Sequence, residues 1–199
     1  MEIKKENVVN AYIAGDNSVK EMLRAMFPDI EFIAEKQPEK RPVTERVKTF
    51  EDACRELGED NALVLHYRHL IKENEEKDIS MTDIVAYMKL RIVCAALNEG
   101  WEPQFAEKDD NRWYPLHFLW TDEDLAYLDE EWKRSHALID TYDYSHEGYA
   151  GFAFANSFYA PSNTYAGIGS RICLKSEALS NYCGTQFIRL WADFKLCHR

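Results

Sequence analysis

The chain has 199 residues, of which 46% are hydrophobic and 30% charged, and its formal net charge at pH 7 is −11. This size and composition suit a globular protein with a buried core and exclude collagen-like and low-complexity chains. The negative charge opposes nucleic-acid binding, which needs Lys and Arg to neutralise phosphates. No apolar run approaches the roughly 20 residues that cross a bilayer, so we predict no membrane segment.

The first hundred residues contain repeated signals for the start of a helix. Ser18, Thr49 and Ser80 each precede an acidic residue by three positions, which is the pattern of a capping box. Apolar residues at helical spacing follow each signal. We therefore predict that the N-terminal half is helical.

Two prolines and few apolar residues mark residues 34–48, which predicts a linker or an exposed loop. This segment separates a small helical N-terminal unit, residues 1–33, from a main domain over residues 49–199. The domain organisation is therefore expected to be unequal, with most of the chain in the second unit.

Aromatic residues dominate the region after Gly100, where 16 of the 26 lie between Trp101 and Tyr165. Runs with strand-like alternation are residues 113–120, 151–159 and 164–175. Thr121 opens a helix between the first two runs, and Ser176 opens an apolar-striped final helix. The fold class predicted is α+β: helices, then a small antiparallel sheet with aromatic strands, then a packed C-terminal helix.

Several patterns suggest metal or phosphate chemistry, but each has a simpler structural explanation. His66, His69 and Glu73 share one helix face, yet a zinc site needs further ligands, so we favour a solvated face. The glycines at 167 and 169 are followed by a strand-like run rather than by the helix that a phosphate loop requires. We therefore predict neither a metal nor a cofactor.

Five cysteines occur in the chain without a CxxC pair. Most stand among apolar residues, which favours reduced, buried thiols rather than disulfides or a zinc site. The first ten residues also lack the apolar segment of a secretory signal. We expect a cytoplasmic protein, or a virion-associated one if a phage encodes it.

Aromatic side chains are the best candidates for binding, because their faces stack on sugar rings and anchor protein interfaces. A polar loop around residues 142–149 is expected to expose its tyrosine rings. The candidate binding residues are Trp113, Tyr114, Tyr142, Tyr144, Tyr149 and Arg171.

Four segments carry a family resemblance: KTFEDACRELG (48–58), MKLRIVCAALNEGWEP (88–103), WYP (113–115) and GSRICLKSEALSNYCGTQFIRLWADF (169–194). They resemble a family of uncharacterised proteins that is common in gut Bacteroidales and in their phages and mobile elements. That resemblance implies relatives but no activity. The C-terminal half is also similar to C-type-lectin-like modules, which would imply an adhesion or glycan-binding role.

Two functional hypotheses follow. The first is a non-enzymatic binding or accessory protein of a phage or mobile element, which engages a protein or a glycan through an aromatic, acidic surface and allows homo-oligomerisation. The alternative is a hydrolase-like enzyme that uses acids of residues 122–147 with His117 and His146. The lack of a catalytic signature favours the binding protein.

Overall fold

The structure is a computed structural model that describes residues 4–30, 32, 40–75, 82–104, 110–144, 148–161 and 170–198. The chain forms two compact units, residues 1–41 and 42–199. The fold class is α+β, as predicted, with helices before and after a small antiparallel sheet. No helix in the described part of the chain is long and apolar enough to cross a membrane.

The first unit contains two helices, α1 (Lys5–Ala14) and α2 (Asn17–Met26). Asp16 caps α2, because its Oδ1 accepts a hydrogen bond of 2.9 Å from the Val19 N–H. The prediction that Ser18 caps this helix was wrong, since the carboxylate two positions earlier takes that role. The small core of this unit contains Val8, Tyr12 and Leu23.

The second unit begins earlier than predicted. Val43 and Val47 are buried in its main core, so the residues around them belong to the packed domain and not to a linker. The predicted linker over residues 34–48 is therefore wrong for its last part, while residues 33–39 lie outside the described residues. The helices that follow are α3 (Val43–Arg46), α4 (Phe50–Leu57), α5 (Ala62–Glu75) and α6 (Thr82–Asn98).

The capping box predicted at Thr49 is confirmed. Thr49 Oγ1 accepts a hydrogen bond of 3.1 Å from the Asp52 N–H, and Asp52 Oδ2 accepts one of 2.9 Å from the Thr49 N–H. The Thr49 hydroxyl, followed by the Thr49 backbone N–H, donates to the Asp52 carboxylate and so holds its pKa below the usual value. Gly58 ends α4 at a φ of 94°, a conformation that glycine adopts at little cost. The Ser80 signal lies outside the described residues.

We expect Thr49→Ala to lower the free energy of unfolding by about 1 kcal/mol, because the Asp52 N–H then loses its side-chain acceptor. Thr49→Ser keeps a hydroxyl and should retain most of the stability. Urea unfolding of the three proteins checks this. Equal midpoints for the alanine variant and the wild type would contradict it.

The sheet has three strands in the order β1-β3-β2, all antiparallel: β1 (Asn111–Trp120), β2 (Ile139–Asp140) and β3 (Gly151–Pro161). The β1–β3 register shifts between Leu116 and His117, which marks a bulge. The predicted strand over residues 164–175 is wrong in its described part, which holds a 3₁₀ turn and one bridge from Leu174 to Trp113. Residues 162–169 of that run lie outside the described part.

Two helices predicted as continuous are broken. Thr121 opens α7 (Asp122–Ala126) as predicted, but Asp129 then caps a separate helix, α8 (Glu130–Ser135). The C-terminal helix begins after Ser176 as predicted, and Phe187 divides it into α9 (Glu177–Gln186) and α10 (Ile188–Lys195).

Helix α9 packs closely on the sheet at Gly184. A Cβ atom on Gly184 would meet Pro115 Cβ and Phe154 Cδ2 at 2.6 Å, so only glycine lets α9 pack this closely on the sheet. Helix α6 contributes buried residues to the same core. Four of the five cysteines are buried in the structure and none forms a disulfide, whereas Cys197 is exposed.

Candidate functional site

The loop tyrosines divide into two exposed rings and one buried ring. Tyr142 is 75% exposed and Tyr149 is 46% exposed, as the sequence predicted. The prediction was wrong for Tyr144, which is only 4% exposed because its ring packs into the main core. Tyr144 therefore cannot offer a ring face to a ligand without local unfolding.

The strand candidates are positioned mainly by packing. Tyr114 is 1% exposed and stacks on Phe158, with 5.4 Å between ring centroids. The prediction that Tyr114 is a binding residue was wrong, because its ring is buried. Trp113 is half-buried against the main core and lies 5.2 Å from the ring of Tyr159 on the neighbouring strand. Arg171 is exposed and lines a cavity of about 360 Å³ together with Trp101 and Arg91. The structure therefore does not bring the six candidates into one site.

Exposed rings that the sequence analysis did not single out are Phe118, Tyr127 and Tyr159. Tyr127 is 90% exposed, at the residue that follows α7. Strand alternation could have identified Phe118, because its neighbours His117 and Leu119 both contact the buried side of the sheet.

Three segments converge at the Gly151 end of the sheet. The side chains of Leu125 in α7 and Leu138 before β2 lie about 3 Å from where a Cβ of Gly151 would stand. The third segment is Tyr149 and Ala150, just before β3, and hydrogen bonds hold it to Thr141. Thr141 Oγ1 donates to the Tyr149 carbonyl oxygen at 2.7 Å, and the Thr141 N–H donates to the Ala150 carbonyl oxygen at 3.2 Å. We call this region the acidic aromatic end. Its exposed members are Asp122, Glu123, Asp124, Tyr127, Asp140, Tyr142, Asp143 and Tyr149.

Most charged side chains at and near the acidic aromatic end are carboxylates. Every acidic residue from Asp122 to Asp143 is exposed. The bases in the same stretch are Lys133 and Arg134, and Lys133 already pairs with Glu130 at 2.7 Å. The acids at the start of α7 also stabilise that helix by facing its positive dipole end.

His117 has both ring nitrogens occupied. Its Nε2 lies 3.1 Å from the Gly184 carbonyl oxygen, which can only accept, so Nε2 carries the hydrogen. Its Nδ1 accepts from the Lys195 ammonium at 2.9 Å. The ring stacks on Phe152 at 4.9 Å and lies 5.6 Å from Trp191. This arrangement fixes a neutral imidazole in a packed position.

Burial and the neighbouring ammonium act in the same direction on His117. Burial, followed by the Lys195 charge, lowers the pKa of His117 to about 3. Although Lys195 is exposed as a residue, its ammonium contacts the Pro115 carbonyl at 3.3 Å and the Trp191 ring at 4.9 Å. The loss of hydration there lowers the pKa of Lys195 to about 8, so the lysine is charged at neutral pH.

This geometry gives His117 no free nitrogen with which to act as a base. No ion pair or hydrogen bond joins it to a carboxylate in the described part of the chain. Three of the nearby acids have other contacts: Asp124 and Asp129 cap helices, and Glu130 pairs with Lys133. His146, the other histidine of the hydrolase hypothesis, lies outside the described residues.

A second cluster joins His198 to the buried Tyr144 through Asp193. The Tyr144 hydroxyl donates to Asp193 Oδ1 at 2.7 Å, and His198 Nε2 lies 3.2 Å from the same oxygen. A backbone bridge also joins Tyr144 to His198. Burial and the Asp193 carboxylate raise the pKa of Tyr144 above its ordinary value. Sequence reasoning missed this cluster, because its members are separated by 49 positions.

We expect Tyr144→Phe to lower the free energy of unfolding by about 1.5 kcal/mol, because it removes a hydrogen bond to a charged acceptor. Tyr142→Phe changes an exposed ring in the same loop and should stay within about 0.5 kcal/mol of the wild type. Chemical denaturation measures both variants. Equal losses at the two positions would contradict the assignment of the Tyr144 hydrogen bond.

The described residues contain no group of three His, Cys, Asp or Glu placed to hold a metal ion. His66 and His69 are exposed on α5, as the solvated-face interpretation predicted.

Comparison of the chain with family models, with curated proteins and with solved structures finds no match.

Proposed function

We propose that this chain is a non-enzymatic binding or accessory protein of a phage or mobile element, and that it engages a basic protein surface through the acidic aromatic end. The observation that carries the proposal is the convergence of α7, β2 and the two residues before β3 at Gly151. That convergence gathers exposed carboxylates and exposed tyrosine rings at one end of the sheet.

The chemistry of this end suits a cationic partner. Exposed carboxylates pair with Lys and Arg, and tyrosine faces attract the same cations. Each such pair contributes little alone, so recognition depends on several acting together. A neutral glycan would use the rings and leave the carboxylates without partners, while a nucleic acid would be repelled.

The experiment is a binding assay of the full chain on an array of Lys- and Arg-rich, neutral and acidic peptides, beside a glycan array. We expect binding to the basic peptides that weakens steeply as salt rises, because exposed ion pairs are screened. Salt-insensitive binding to glycans, with none to the basic peptides, would overturn the proposal.

A matched pair of variants separates this surface from general charge attraction. Glu123→Gln/Asp140→Asn/Asp143→Asn removes three exposed acids of the acidic aromatic end. Its control removes three exposed acids elsewhere: Glu6→Gln/Glu21→Gln/Glu45→Gln. We expect the first variant to lose most of the peptide binding and the second to keep it. Equal losses would contradict a localised surface.

A further inference from the structure

A cavity of about 390 Å³ in the second unit lies away from the acidic aromatic end. It lies between the start of α4, the middle of α6 and the junction of α9 with α10. Its lining holds three cations, Lys48, Lys89 and Arg189, beside apolar side chains that include Phe50 and Leu190. No acidic residue belongs to this lining among the residues that the structure describes.

The three cations of this cavity have no carboxylate partner among the described residues. Within the described ranges, no salt bridge involves Lys48, Lys89 or Arg189, although 35 acids are present in the whole chain. Of the two acids at the start of α4, Asp52 pairs with Arg55, and Glu51 lies 3.9 Å from Arg68. The cavity therefore carries a local positive potential in a protein of net negative charge.

Local contacts hold the walls in place without a ligand. The Lys89 ammonium lies 5.4 Å from the ring centre of Phe50 and 5.9 Å from that of Tyr67. Those two rings contact each other edge to face, with centroids 4.8 Å apart. Gln186 Nε2 donates to the Lys48 carbonyl oxygen at 2.8 Å, which ties α9 to the segment before α4.

The lining combines an apolar surface with cations, and this combination selects the ligand. Phe50 and Leu190, both partly buried, offer area to an aromatic or aliphatic body, while the cations offer donors to an anionic group. The volume falls in the range of small-molecule sites. We propose that this cavity binds a small organic anion, in which a carboxylate or phosphate meets Lys48, Lys89 and Arg189 and an apolar body lies on Phe50 and Leu190.

This proposal is independent of the binding function assigned to the acidic aromatic end, because the two use different residues and ligands of opposite charge. The test titrates 1-naphthyl phosphate, 1-naphthol and inorganic phosphate into the full chain, followed by calorimetry. We expect the naphthyl phosphate to bind at least about tenfold more tightly than either fragment, since only it uses both parts of the lining. Equal affinities for 1-naphthol and its phosphate would overturn the role of the cations.

Substitutions of the lining cations test whether the binding occurs in this cavity. Lys89→Met and Arg189→Met keep an apolar side chain and remove one charge each. Each should weaken the binding of 1-naphthyl phosphate at least about threefold, and the double variant about tenfold. Lys72→Met and Arg134→Met, at exposed positions on α5 and α8, are the controls and should leave the affinity unchanged. If the controls weaken binding as much as the cavity variants do, the proposal fails.

Discussion

Gly184→Ala is expected to lower the free energy of unfolding by about 2 to 3 kcal/mol, even though alanine favours helices over glycine by about 1 kcal/mol. The added methyl would stand 2.6 Å from both Pro115 Cβ and Phe154 Cδ2, closer than carbon atoms can approach. The helix and the sheet must therefore separate. That movement also strains the hydrogen bond from His117 to the Gly184 carbonyl oxygen.

The matched control for this prediction lies on the same helix. Ala178 is exposed on α9, so Ala178→Gly should cost about 1 kcal/mol through helix propensity alone. Gly184→Ala/Phe154→Leu should recover part of the loss, because leucine leaves room for the new methyl group. A more stable Gly184→Ala protein in urea unfolding would show that α9 does not press on the sheet at this point.

The second large effect is the acid sensitivity that His117 imparts. In the unfolded chain this imidazole titrates near 6.5, whereas in the folded protein its pKa is about 3. Between these values the unfolded state binds a proton that the folded state does not, so acid favours unfolding. The stability that the packed, neutral imidazole contributes is fully present above pH 6.5. As the pH falls from there toward 3, the free energy of unfolding decreases by up to about 1.4 kcal/mol for each pH unit.

Comparing variants isolates this contribution from that of the many carboxylates. The free energy of unfolding of the wild type, His117→Asn and His66→Asn is measured between pH 7 and pH 4.5. We expect His117→Asn to show a shallower loss on acidification and His66→Asn, changed at an exposed position on α5, to follow the wild type. Parallel curves for the wild type and His117→Asn would contradict a buried neutral imidazole.

The sequence predicted helix starts well where the cap depends on residues within one turn. Thr49, Thr121 and Ser176 each accept a hydrogen bond from a backbone N–H three positions later. The same logic failed at Ser18, because Asp16 is also a good cap and the pattern does not rank the two.

The strand prediction at residues 170–175 failed for a different reason. Alternation assumes one buried and one exposed face, but Ile172, Cys173 and Leu174 are all buried between helix and sheet. Composition alone does not separate such a fully enclosed segment from a strand.

The sites were less predictable than the helices because distant residues form them. Lys195 meets His117 across 78 positions, and no local pattern predicts that contact. Loop position predicted the exposure of Tyr142 and Tyr149 correctly, yet the core contact that buries Tyr144 depends on its pairing with Asp193. The cation-lined cavity likewise draws its lysines and its arginine from three separate helical regions.

Because four cysteines are buried and one is exposed, the rate of thiol modification reports how often the core opens. Burial raises the pKa of Cys173 to about 11, and a hydrogen bond with Cys183 together with burial raises the pKa of Cys94 well above its ordinary value. Because the thiolate is the reacting species, these sulfurs are shielded from alkylating reagents in the native state. Cys197 is exposed and should be modified first, so any later modification reports the exposure of one of the four buried thiols as the core opens.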